Sequence, residues 1–498
     1  MRNETVQTQE YFEKRSLRKG AAGWPLLMGL GVAYVISGDF SGWNYGIAYG
    51  GWLGLAIAFV LMGCMYVCTV LGEAEMSSVL PTAGAGFAFS RCAMGRFGGF
   101  FTGMAITVEY VCAPAAISTF IANYFLQLGI IPADFPFLLL VGSVFIIFIG
   151  IHIFGVGEAL KLMLAITVVG AVALLAFAFG AAPHFDPAAL FDIDPNVGSS
   201  TALPFGVSGV LTALPFGIWF FLGVEGVALA AEEAEDPRRD IPKAIVGSMT
   251  VLIGTGLIVL VLAAGVTGSK FMGTSSAPLV DALNAADLHG LALFVNIAGL
   301  FGLVASFFSL IYAGSREIFA LSRAGYLPTF LSLTGSRKTP WVALLVQGMI
   351  GFGLVVIVQD GDILLNMAVL GACLSYVLMN LSHLVLRLRQ PNMVRVWKTP
   401  GGASDRGKTL LYRRDRKSFR CGALFLLSGP HGRKSPGRPG LWKLLSFRQT
   451  AGLSSAPCRT ASCLLQFQVF FYCGLSGYGK PASPHLRRGP ELYGIFHF

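Results

Sequence analysis

Ten runs of mainly apolar residues fill most of the first 400 positions: 24–48, 51–79, 97–127, 136–154, 158–181, 203–231, 244–268, 290–322, 341–359 and 362–388. Crossing the hydrocarbon of a bilayer takes about 20 such residues, and each run is bounded by Gly, Pro or charge. Backbone groups cannot stay unpaired in lipid, so runs of this length predict helices. The expected fold is an all-α polytopic membrane protein with ten core spans. Composition supports it, since only 12% of the 498 residues are charged, against about 25% in soluble proteins.

The loops alternate in charge. Arg2, Lys14, Arg15, Arg18 and Lys19 precede span 1, and Arg91 and Arg96 lie between spans 2 and 3. Arg238, Arg239 and Lys243 separate spans 6 and 7; Arg323, Arg337 and Lys338 separate 8 and 9; Arg387, Arg389, Arg395 and Lys398 follow span 10. The opposite loops hold Lys270 among Asp134, Asp186, Asp192, Asp194, Asp281, Asp287, Asp360 and Asp362. Basic loops mark the cytoplasmic side, which predicts a cytoplasmic N-terminus in the inner membrane. One missed or invented span would scramble this parity.

Two spans read as interrupted. Span 1 carries Ser37-Gly38-Asp39-Phe40-Ser41-Gly42, and span 6 carries Phe221-Leu222-Gly223-Val224-Glu225-Gly226. They open two five-span halves, 1–5 and 6–10. Gly-interrupted segments at matching positions point to an inverted-repeat transporter with a binding site near the midplane.

A carboxylate near the bilayer centre costs about 2.5–3.5 kcal/mol on insertion scales, so it normally faces a cavity or a partner. Asp39 reads either as the counter-ion of a cationic solute or as half of a structural ion pair or cap. Glu225 reads either as a second solute ligand or as an acceptor for backbone donors freed by the break. Glu109, in span 3, binds solute or carries a proton, or else braces span 3 against span 1. Trp43 and Trp219 flank the breaks, as cation-facing rings or as packing. Lys161, after Glu158, is either a snorkelling interface residue or an amine that couples transport to a proton. With the backbone at Ser37, Gly38 and Gly223, these side chains form the candidate site.

Other chemistries find little support. Gly84-Ala85-Gly86 lacks the third glycine and the βαβ setting of a phosphate-binding loop. The membrane part contains no Ser/His/Asp set, HExxH or CxxC. No enzyme, cofactor or metal site is expected.

Three further stretches carry a resemblance. They are the run from Glu232 through Asp236, Pro237, Arg238, Arg239 and Pro242 to Ile245; Ser315-Arg316-Glu317 through Tyr326-Leu327-Pro328 to Thr339-Pro340; and Pro81 to Gly95. In this order and spacing they resemble the amino acid–polyamine–organocation permeases across roughly residues 24–402. The resemblance implies a LeuT-like fold of two inverted five-helix repeats, with solute held where helices 1 and 6 break. Within that family, residues 36–46 and 108–114 look most like ethanolamine permeases. Amino-acid members use a Gly-Ser-Gly-like stretch whose amides take the substrate carboxylate. Here Ile36 stands in the first glycine's place and Asp39 follows Ser37-Gly38. A fixed negative charge there would repel a carboxylate and attract an amine.

The expectation is therefore uptake of ethanolamine by alternating access, driven by a proton or sodium ion. An amino acid or another small amine is the alternative solute, and a transporter-like sensor or channel the more distant reading. Residues 1–23 read as a cytoplasmic tail and 24–402 as the transporting core. Residues 403–498 carry 11 Arg but only 3 acidic side chains. Family sequence stops there within a few residues, where helices 11 and 12 are expected. A shifted reading frame is the simplest account of this tail. A basic segment for nucleic acid or lipid head groups is the weaker one, so no nucleic-acid partner is expected. Cys421, Cys458, Cys463 and Cys473 lack paired metal-ligand spacing.

Overall fold

A computed structural model describes residues 20–399, apart from 21, 83, 130–131, 133, 155, 391–392 and 394 and the side chains of 154–163. The readings made for residues 1–19 and 403–498 lie outside the described residues, as does the side chain of Lys161. The described residues are almost wholly helical. They form α1 (Trp24–Val35), α2 (Ser37–Phe40), α3 (Tyr45–Val79), α4 (Ala85–Gln127), α5 (Phe137–Phe154), α6 (Val156–Ala181) and α7 (Gly206–Trp219). After a 3₁₀ segment, Val224–Ala230, come α8 (Pro237–Thr267), α9 (Ser269–Met272), α10 (Pro278–Ala285), α11 (His289–Arg323), α12 (Trp341–Val358) and α13 (Gly361–Arg389).

Among the described residues, eight stretches are long and apolar enough to cross a membrane, and Trp24–Phe40 and Phe137–Ile153 are shorter apolar helices. Together they reproduce the ten spans. The backbone of α3 turns at Gly51, so Tyr45–Gly50 completes span 1 and the rest of α3 is span 2. Likewise α4 turns at Gly95, which separates a short leading helix from span 3. The outward faces carry large apolar side chains: Ile146, Phe179 and Ile357 are 76%, 81% and 81% exposed. Water would not tolerate so many such residues; lipid does.

Helix ends follow local chemistry. Pro237 opens α8, and Asp240 accepts the Asp236 amide at 3.0 Å, the reciprocal use of a first-turn acid. Asp360 caps α13 by accepting from the Asp362 amide, and Arg387 and Arg389 occupy its last turn, where cations offset the helix dipole.

The packing pairs repeat between the two halves. Span 1 lies on span 7 (α1 on α8) just as span 6 lies on span 2 (α7 on α3). Span 3 lies on span 10 (α4 on α13) as span 8 lies on span 5 (α11 on α6). Shifting each number by five turns one pair into the other, as a five-plus-five repeat requires. Spans 1 and 6 are the broken ones, and their breaks face each other at the centre.

Candidate functional site

Span 1 breaks where Ser41 becomes extended (φ −159°, ψ 157°) and Gly42 adopts φ +93°, a region open chiefly to glycine. The carbonyls freed by the break find partners elsewhere in the bundle. Tyr124 donates to Phe40 O at 2.8 Å, and the Trp219 indole donates to Ser41 O at 3.0 Å. Ser306 Oγ donates to Ala33 O at 2.6 Å and accepts the Ser37 amide at 3.0 Å. Gly38 lies so close to span 6 that an added Cβ would meet Trp219 O at 2.7 Å. The two breaks thus touch through Gly38, Ser41 and Trp219.

Asp39 sits on the helical turn between them, 1% exposed, and neither carboxylate oxygen has a hydrogen-bond partner. It faces α8, where the single Thr255 hydroxyl is within reach of its carboxyl and of Val251 O and Leu252 O, each at 3.3 Å. A buried carboxylate without a cation or donors is strongly disfavoured, so this position calls for a positively charged partner. Trp43 is fully buried, its ring centroid 5.7 Å from that of Phe220.

Span 6 breaks at Gly223, with φ +102°. The turn aims the Gly223 amide at the Tyr66 hydroxyl, 3.1 Å away. That phenol donates in turn to Glu225 Oε2, and Tyr110 donates to Glu225 Oε1 at 3.1 Å. Tyr376 touches the Tyr66 hydroxyl at 2.6 Å and donates to Glu109 Oε1 at 3.2 Å. The Glu109 carboxyl is within hydrogen-bonding reach of Glu225. Two carboxylates in contact in a dry interior repel, and a proton or cation between them removes the repulsion. This arrangement can hold one positive charge and exchange it through hydroxyl groups.

Of the residues singled out from sequence, Ser37, Gly38, Trp219 and Gly223 line the two breaks. Glu109 and Glu225 meet as a pair, while Asp39 stands apart on the α8 side. Trp43 packs on Phe220, and Trp219 uses its N–H on the opposite break. Sequence reasoning passed over Tyr66 and Tyr376, which join spans 2 and 10 to the carboxyl pair. It also passed over Glu73 and Glu75, acids inside an apolar run, and took Glu317 only as part of a family stretch. The signal was present, since polar residues in such runs recur at helical spacing on one face.

The basic loops meet at one end of the bundle. Glu75, fully buried, receives Arg387 and Arg395, the latter at 2.8 Å, and lies 3.4 Å from His383. Arg316 pairs with Glu233 at 3.0 Å, and its guanidinium carbon lies 3.4 Å from the Tyr312 ring centroid. Ala22 pairs with the strand-like segment at Glu233 and Glu235, so the entry to span 1 is tied to the exit of span 6.

A family model described as amino acid permease matches residues 26–409. A branched-chain amino acid permease of Bacillus subtilis, BcaP, is 26% identical over 421 residues, covering 80% of this chain and 87% of its own. The methylthioribose transporter of the same organism is 25% identical over 421 residues, with the same coverage. An uncharacterized transporter of Rhizobium meliloti is 26% identical over 370 residues, 73% of this chain and 78% of its own. These relatives are permeases and transporters rather than enzymes. With its ten spans and paired breaks, the chain belongs to the amino acid permease family, an integral membrane transporter fold.

Proposed function

We propose that the chain imports ethanolamine by secondary active transport, residues 24–402 forming the transporting unit and Asp39 pairing with the ammonium. The observation that carries this reading is Asp39 itself, buried at the break of span 1 with both oxygens unpartnered. An ammonium supplies the charge and donors that the protein withholds. Ser37, Gly38 and Gly223 lie at the breaks, where backbone polar groups can meet the solute hydroxyl. Glu109 and Glu225 accept the coupling proton or sodium ion beside it, and Lys161 stays a coupling candidate. Trp43 and Trp219 wall the site. The basic-end loops support placement in the cytoplasmic membrane with the N-terminus inside.

The test is binding and uptake of labelled ethanolamine by the full chain in liposomes. Loss of the charge in Asp39→Asn is expected to cost about 1.5–3 kcal/mol, or roughly ten- to a hundredfold in affinity. Unchanged affinity would remove Asp39 from the site. The names of relatives favour a second reading, import of a branched-chain amino acid. Saturable uptake of labelled isoleucine that excess ethanolamine does not compete would select it.

A further inference from the structure

Spans 2 and 10 meet along a line of polar side chains that the solute site does not use. On α3, Tyr66, Thr69 and Glu73 follow at i, i+3 and i+7; on α13, Tyr376, Asn380 and His383 follow at i, i+4 and i+7. Each spacing places its three residues on one helix face. The faces touch at the first two levels, and Glu73 and His383 line one cleft at the third. The Tyr66 and Tyr376 hydroxyls are 2.6 Å apart, and Asn380 donates to Thr69 Oγ1 at 2.8 Å. Below them lies a narrow cleft of about one water's volume, lined by Thr69, Glu73, Asn380 and His383 and by apolar Met76, Phe89 and Met379.

The line has two ends. At mid-membrane it joins the carboxyl pair, through Tyr66 to Glu225 and through Tyr376 to Glu109. At the basic end His383 faces Glu75 at 3.4 Å. Between them stands Glu73, 5% exposed, its Oε2 without a hydrogen-bond partner. The charged and titratable groups around it are His383 on α13, Glu225 on the broken span and Glu75 on its own helix; α4 contributes only Phe89 to the cleft. Glu75, two residues on, is clamped by Arg387 and Arg395. A carboxyl kept for structure would be held as Glu75 is; Glu73 has neither arginine.

We propose that this seam is the proton path of the transport cycle, with Glu73 carrying the coupling proton between the Glu109–Glu225 pair and the basic end. The proposal rests on the secondary-transport reading but not on the identity of the solute. An O–H bond on the carboxyl pair breaks, and the Tyr66 hydroxyl and cleft water each release one proton as they take another. Glu73 carboxylate gains an O–H bond. It returns to carboxylate when His383 takes the proton and passes it to water at the basic end.

The experiment uses the full chain in liposomes with a pH-sensitive dye inside, and labelled ethanolamine and labelled isoleucine as probes. Solute entry should acidify the lumen in the wild type. Glu73→Gln should keep solute counterflow within about twofold while losing acidification and at least tenfold of the proton-driven accumulation. Asn380→Leu, which fills the cleft and leaves the carboxyl, should slow acidification in the same way. Wild-type proton flux in Glu73→Gln overturns the proposal, as does wild-type accumulation driven by sodium without acidification. Should Glu73→Gln lose counterflow as well, Asn380→Leu decides, and normal acidification there overturns the proposal. Accumulation of isoleucine in place of ethanolamine, with acidification lost in Glu73→Gln, overturns the ethanolamine reading and supports the seam.

Discussion

Tyr66 locks the break of span 6: its hydroxyl donates to Glu225 and accepts the Gly223 amide at 3.1 Å. One side chain from span 2 thereby satisfies both a freed backbone donor and a buried acid. Tyr66→Phe leaves the ring packing against Phe221 and removes both bonds. The expected loss is about 1–3 kcal/mol, since the amide and the carboxyl are left unpaired in a dry interior. A thermal unfolding scan of detergent-solubilised protein reads it. An unchanged midpoint would mean that Tyr66 does not hold the break.

Gly223→Ala is expected to be worse than its size suggests. The residue sits at φ +102°, and an added Cβ would meet Leu310 Cδ2 at 3.2 Å. Backbone strain of this kind costs about 1–3 kcal/mol, and relaxing it would swing the Gly223 amide away from Tyr66. The variant should insert and unfold at lower temperature, with solute uptake reduced at least several-fold in the same preparation. Full uptake would show that the break tolerates another geometry.

Glu75→Gln tests the basic end. It strips the carboxylate from Arg387, Arg395 and His383 together. Removing one partner of a fully buried pair costs about 3–5 kcal/mol; because Arg387 is 26% exposed, roughly 2–3 kcal/mol is expected. Glu73→Gln, two residues away and without those arginines, should destabilise far less. Equal melting shifts in the two variants would contradict the division of labour between them.

Orientation can be read by labelling. Ser199→Cys in an acidic-side loop should react with a membrane-impermeant maleimide added to intact cells, measured against the unsubstituted chain as background. Lys338→Cys, in a basic loop, should react only after the membrane is opened. The reverse pattern would invert the topology.

The ten spans and their order were legible in the sequence, because lipid leaves the backbone only one way to satisfy its hydrogen bonds and because loop charge alternates independently of span length. The two breaks were legible too, since Gly38, Gly42, Gly223 and Gly226 interrupt otherwise continuous apolar runs beside an acid. Asp39, Glu109 and Glu225 stood out for the same reason. Sequence spacing could not say which of them share a space. That depends on how spans 2, 3, 6 and 10 cross, and crossing angles follow from many weak packing contacts with no single-residue signature. Tertiary structure alone brought Glu109 to Glu225, left Asp39 facing α8, and aligned Tyr66, Thr69 and Glu73 with Tyr376, Asn380 and His383. Helix periodicity determines which residues share a face; only packing decides which face meets which.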